Sequence, residues 1–346
     1  MNLYLTADRI GESTGGGVVT RHESQALQSL SPDFRSVSRL DLEGIPIDTP
    51  EPWRWDTAAY CSFGNRVKLA HIYSGTFSSC VGKMKANGSK VCYTIAAHDR
   101  EVSKREHERM GWGFNYPHLV EKRLWERYIE GYRLADVIVC PSTVAADTVR
   151  RYGPAFEQKR YEIIPHGCET LEVVMPFPAK FTVGYLGSFG PDKGVRYLLE
   201  AWKKLNYQDA VLVLAGRDSG TDFAKQLVQH VGGGSVHFWG WVDNPSDFYN
   251  SLSLYVQPSA TEGFGIEVLE AMAHGRPVLC SRGAGAQDVV IDSMRFDPCN
   301  VDGLADAISA VRAGWQGESE QYQKVASEFT WSKVRQQYIN LWREFS

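Results

Sequence analysis

The stretch Pro258–Asp288, PSATEGFGIEVLEAMAHGRPVLCSRGAGAQD, follows the short apolar run Leu254–Gln257 and carries two glutamates, Glu262 and Glu270, with seven residues between them. It reads as a strand ending at Gln257, a loop holding Glu262, Gly263, Phe264 and Gly265, and a helix that starts near Ile266 and carries Glu270. Two glycines let the backbone approach a ligand, and the unpaired amides of Gly265, Ile266 and Glu267 at a helix start form an anion site. A phosphate belongs there. Glu262 lies before that site and Glu270 beyond it, and a carboxylate accepting two hydrogen bonds suits a vicinal diol, a ribose on one side and a hexose on the other. Taken singly, the two glutamates read as a loop acid and a solvated helix face.

Working outward, short apolar runs alternate with helical-period segments along the whole chain, as in βαβ units with a parallel sheet. Strands are expected at Asn2–Thr6, Leu69–Tyr73, Lys90–Ile95, Val137–Cys140 and Tyr161–Ile164, with a glycine turn at Gly15–Gly17 and a helix from Val18 to Leu30. Arg100–Leu134 reads as a loop followed by a long helix from about Tyr116. Pro176 and Pro178 interrupt any regular element in Thr170–Lys180, and the alternation then restarts at Thr182. The expectation is an α/β chain of two tandem Rossmann-like, doubly wound domains facing a central cleft, residues 1–175 and residues 176–330 with the candidate phosphate site, and a C-terminal helix at 331–346 packing back toward the first domain.

A chain of 346 residues suits two domains at roughly 100–200 residues each. With 37 basic and 41 acidic residues, a net charge of −4 argues against a nucleic-acid binder that relies on a global positive field. The seven cysteines, Cys61, Cys80, Cys92, Cys140, Cys168, Cys280 and Cys299, show no C-x-x-C pair and no matched histidine spacing, which disfavours zinc and a disulfide framework. The opening MNLYLTADRIGES lacks a cationic segment before a long apolar run, so it reads as a first strand and not as a signal peptide. A cytoplasmic protein is expected. Residues 57–98 contain no acid but include Arg66, Lys68, Lys83, Lys85 and Lys90. Two readings stay open for this segment: a solvated face, or a peripheral contact with anionic lipid through an interfacial helix at Ser74–Asn87.

The glutamate pair inside EGFGIEVLEAMAHGRPV resembles the signature of retaining glycosyltransferase family four, the group 1 glycosyltransferases with the B-type fold (GT-B). Supporting matches are the glycine turn after the first strand, AAHD at Ala96–Asp99, IPHG at Ile164–Gly167, GPDKG at Gly190–Gly194, a WV after a glycine at Trp241, and the closing FTW at Phe329–Trp331. The resemblance implies that Glu262 hydrogen-bonds the donor sugar beside the amides of Phe264, Gly265 and Ile266. It also implies that Glu270 holds the ribose, that Lys193 pairs with the diphosphate, and that His98 lies near the reacting centre. Gly16 and Gly17 would admit the phosphates or acceptor, and the base would rest on the Gly240–Val242 loop with Trp241. The chain departs from the family at Ser188, where an arginine usually partners the lysine. Arg217, in AGRD after the Ala210–Ala215 strand, is the preferred replacement, with Arg196 second.

Glycosyl transfer breaks the anomeric C–O bond with charge developing on the diphosphate, so leaving-group stabilisation is the largest expected effect. No second acid in EGFGIEVLE is placed as a nucleophile for double displacement. The family implies retention by same-face attack, without metal or cofactor, the nucleotide diphosphate-sugar (a UDP- or GDP-hexose) being a co-substrate. The acceptor is a sugar, a glycolipid or a small molecule. Two alternatives remain: a sugar-nucleotide epimerase or hydrolase of the same fold, or a catalytically weak sugar-nucleotide-binding protein.

Overall fold

The computed structural model describes residues 1–6, 10, 15–42, 58–59, 62–63, 66–73, 78–95, 99–110, 122–231, 235–314 and 319–345. Two compact units divide the chain: residues 1–97, 120–166 and 331–346 form the first, residues 98–119 and 167–330 the second.

The first unit holds a parallel sheet of six strands in the order β2-β1-β3-β4-β5-β6. These are β1 (Asn2–Thr6), β2 (Phe34–Ser38), β3 (Leu69–Tyr73), β4 (Lys90–Thr94), β5 (Val137–Cys140) and β6 (Arg160–Ile163). LAHIY and VIVC are buried at every position, as strands covered by helices on both faces require. The helix after β1 begins at Gly15, so the glycine run forms its first turn instead of preceding it. The edge strand β2, FRSVS, was not expected, because only Val37 and Ser38 of its residues are buried. In the helix Ser78–Ala86, Val81 and Met84 are wholly buried in this unit's core, and Lys85 pairs with Asp136 at 2.6 Å. Packing therefore takes up the apolar face that an interfacial helix would turn to lipid.

The C-terminal helix Trp331–Arg343 belongs to this unit and is fastened by a buried polar network. Glu23 accepts from Tyr4 Oη and Tyr338 Oη, each at 2.6 Å, and Trp342 Nε1 donates to His71 Nδ1 at 3.0 Å. An indole can only donate, so the proton of His71 sits on Nε2, which faces Thr94 Oγ1 at 2.8 Å.

The second unit repeats the architecture, with parallel strands in the order β12-β11-β10-β7-β8-β9. They are β7 (Phe181–Leu186), β8 (Ala210–Ala215), β9 (Val236–Gly240), β10 (Leu254–Gln257), β11 (Val278–Ser281) and β12 (Arg295–Phe296). The helix Val195–Leu205 buries Val195, Leu198, Leu199 and Trp202, the i, i+3, i+4, i+7 stripe of an amphipathic helix, and stops at Asn206 in the left-handed region. Arg100–Met110, expected as loop, is a helix of this unit. The expected start of the next helix at Tyr116 lies outside the described residues, which resume with the helix Lys122–Leu134. A short helix at Ser319–Ser327 is an addition to the expected elements. Among the described residues no helix is long and apolar enough to cross a membrane.

Candidate active site

The second sheet winds from β7 through β8 to β9, returns to β10 on the other side of β7, and continues to β11 and β12. Its order therefore reverses between β7 and β10, and in open α/β sheets the loops beyond the carboxyl ends of such a strand pair form the ligand crevice. The loop after β7 carries Ser188 and Lys193, and the loop after β10 carries Glu262.

Main-chain bonds lock these two loops together. Ala260 N–H donates to Asp192 O at 2.8 Å and Thr261 N–H to the same oxygen at 3.4 Å. Gly194 packs so closely on the carbonyl of Pro258 that a Cβ would lie 2.0 Å from its oxygen, and its φ of +70° is one that side-chain-bearing residues rarely adopt. Lys193 Nζ consequently meets Glu262 Oε2 in an ion pair. Their side chains retain 21% and 22% of their exposure, so a ligand can reach both. Burial lowers the lysine's affinity for its proton, but attraction to Glu262 and Asp192 outweighs this and holds the ammonium above its ordinary range.

Gly265, at φ +93°, opens the helix Ile266–Ala273. That helix buries Val268, Leu269, Ala271 and Met272, leaving Glu267 and Glu270, three apart, on its other face. Glu270 accepts from Tyr249 Oη at 2.6 Å, and burial raises its pKa against the effect of that bond. Glu267 is pushed up to about 8 by burial and by the neighbouring charges of Glu262 and Glu270. Phe264 is buried and its carbonyl accepts from Ala286 N–H at 2.7 Å, while Glu262 N–H donates to Gly283 O at 3.0 Å. These bonds fix the glutamate loop from its other side.

Ser188 lies two residues beyond β7, its carbonyl accepting from Tyr185 Oη at 2.6 Å. Phe189 N–H donates to Asp218 Oδ2 at 2.8 Å, which ties this loop to the one after β8 that bears Arg217. Arg217 is exposed and makes no ion pair among the described residues, whereas Arg196 is engaged by Glu200 at 2.7 Å and by Arg109 O at 3.3 Å. Trp241, half exposed, follows the edge strand β9. Ser188, Lys193, Glu262, Phe264, Gly265, Ile266 and Glu270 thus gather around the reversal point, with Arg217 one strand further out. Gly16 and Gly17 belong to the first unit, and His98 lies outside the described residues. Sequence reasoning missed Tyr249 and Thr261, for which no local signal exists. No cluster of metal-ligating side chains is present among the described residues.

A doubly wound parallel sheet whose reversal point brings together a lysine, two glutamates and a glycine-opened helix is an α/β architecture with its candidate ligand crevice at the switch point. The model of the family described as "Glycosyl transferases group 1" matches residues 180–313, most of the second unit. The chain is 31% identical over 170 residues to O-antigen chain mannosyltransferase B of Escherichia coli, covering 46% of this chain and 45% of that protein. It is 29% identical over 193 residues to the lipopolysaccharide core biosynthesis glycosyltransferase LpsE of Rhizobium meliloti, covering 53% and 55%. The chain spans about half the length of the relatives it matches. In fold it is similar to sucrose-phosphate synthase from Thermosynechococcus elongatus (TM-score 0.77, 19% identity, 99% of this chain and 98% of that one). It is also similar to Anabaena HepE in complex with UDP-glucose (TM-score 0.75, 15% identity, 99% and 100%).

Proposed function

We propose that the protein is a retaining glycosyltransferase that moves a hexose from a nucleoside diphosphate donor, UDP- or GDP-linked, to a glycan, glycolipid or small-molecule acceptor. The observation that carries this reading is the pairing of Lys193 with Glu262 across the reversal point, beside the helix that bears Glu270. In this reading the diphosphate replaces Glu262 as the partner of Lys193 and accepts from the amides at the start of Ile266–Ala273. Freed from the lysine, Glu262 accepts hydrogen bonds from the hexose hydroxyls, and Glu270, already oriented by Tyr249, takes the ribose diol. Arg217 supplies the second cation on the leaving diphosphate in place of the family's arginine at position 188. Trp241 offers a face for the base.

Charge on the departing diphosphate is met by a cation and fixed amide dipoles, the preorganised kind of stabilisation that lowers such barriers most. The leaving phosphate oxygen, on the same face as the incoming hydroxyl, takes its proton. The relatives' names, an O-antigen chain mannosyltransferase and a lipopolysaccharide core glycosyltransferase, favour a saccharide acceptor. The test is calorimetric titration with UDP, GDP and ADP without added metal, alongside Glu270→Ala. Saturable binding of one nucleotide, weakened in the variant, supports the reading; no heat with any of the three overturns it.

A further inference from the structure

The segment Asp99–Met110 follows β4 in sequence yet belongs to the second unit, where it touches both loops of the candidate site. Asp99 caps the helix Arg100–Met110, its Oδ1 accepting from Glu101 N–H at 2.9 Å and Val102 N–H at 3.1 Å. Its own backbone N–H donates to Thr261 Oγ1 at 2.7 Å, one residue before Glu262. Further along the helix, buried Glu106 accepts from Tyr197 Oη at 2.5 Å, and Arg109 O accepts from Arg196 at 3.3 Å. Tyr197 and Arg196 open the helix that directly follows Lys193 and Gly194. A single short helix is thus bonded to the glutamate loop at one end and to the element behind the lysine at the other.

Resting on the donor-site reading above, we infer that Thr261 is a positioning residue: its hydroxyl, held by the Asp99 amide, sets the Glu262 carboxylate for the donor's hexose, with Tyr197 and Glu106 anchoring the far end of the same brace. A hydroxyl is required at this position because the amide of Asp99 needs an acceptor. Valine has threonine's shape without one, and serine keeps the acceptor without the methyl. The bond acts on the loop of Glu262, not on Glu270, so it bears on recognition of the sugar and not of the nucleotide.

The full-length protein and its Thr261→Val and Thr261→Ser variants are titrated with UDP, GDP, UDP-glucose and GDP-mannose, and amide hydrogen exchange is followed over residues 99–110. For the nucleotide that binds, Thr261→Val is expected to weaken the sugar-bearing form about tenfold, leave the free diphosphate within twofold, and speed exchange at Asp99. Thr261→Ser is expected to restore both. Equal weakening of diphosphate and sugar nucleotide, no change in either, or no rescue by serine overturns the positioning role. A wild-type protein that binds none of the four overturns the donor-site reading and this inference with it.

Discussion

Lys193 and Glu262 follow strands that lie side by side in the sheet, β7 and β10, but stand 69 positions apart in the chain, and they meet in a largely shielded ion pair. The pair holds the site's charge in balance until an anion competes for the lysine. A hydrogen bond to a charged group contributes about 1.5–3 kcal/mol, so Lys193→Met is expected to weaken nucleoside diphosphate binding by about tenfold or more. Glu262→Gln removes the competitor; diphosphate affinity should hold or rise while turnover of the sugar nucleotide falls. Titration and product assays on the two variants separate these effects, and parallel losses in both quantities would refute the assignment.

How much of this was legible in the sequence depends on range. The unit from β10 to the helix Ile266–Ala273 could be read because its strand, glycines and apolar stripe are local signals. The switch point follows from strand order, which no local pattern encodes, and so do the contacts of Tyr249 with Glu270 and of Thr261 with Asp99. Arg100–Met110 escaped recognition as a helix because its buried residues include Ser103 and Glu106, leaving little apolar periodicity to detect.

Glu267 makes the site's stability depend on alkaline pH. Its carboxyl is pushed up to about 8 in the folded protein, above its value in an unfolded chain, so the native state holds more protons between those limits. Stability must therefore decline as pH rises from about 4.5 to 8. Glu267→Gln, which cannot ionise, is expected to raise stability by about 1–2 kcal/mol at pH 8.5 and to change little at pH 5. Thermal melts of both proteins across that range check it; equal slopes would show that Glu267 ionises as it does in the unfolded chain.

Gly194 is the hinge pin of the two loops. Any side chain there meets Pro258 O at 2.0 Å and must adopt φ near +70°. Gly194→Ala is expected to cost about 2–4 kcal/mol, combining backbone strain with displacement of a main-chain neighbour. Because relief requires the loops to part, nucleotide affinity should fall together with the melting temperature. Retained affinity in a destabilised variant would mean that the loop register is fixed elsewhere.

Arg217 stands without an ion-pair partner among the described residues, one strand out from the reversal point. If it serves the second phosphate, Arg217→Ala should weaken nucleoside diphosphate binding by about tenfold and leave the monophosphate within twofold. Adding Ser188→Arg to that variant should return most of the loss, since it restores a cation at the family's usual place. An Arg217→Ala protein with unchanged diphosphate affinity would leave Lys193 as the lone cation of the site.

At the far end of the chain, the C-terminal helix is sensitive to acid through His22. The imidazole stacks on Trp331 with centroids 4.1 Å apart, and its Nδ1 accepts from Arg335 at 2.9 Å, a bond that only the neutral ring can make. Burial, then the positive charges of Arg21 and Arg335, lower its pKa to about 4. Between that value and the ordinary 6.5 the unfolded chain binds the extra proton, so stability rises with pH across this window and is lost on acidification through it. The direction is opposite to that of Glu267. His22→Phe keeps the stack and cannot be protonated; it loses the Arg335 bond at every pH but should flatten the profile between pH 4 and 6.5 by about 1–2 kcal/mol. Tryptophan fluorescence during thermal unfolding at several pH values measures the difference, and profiles that run parallel would assign the acid sensitivity of this helix to other groups.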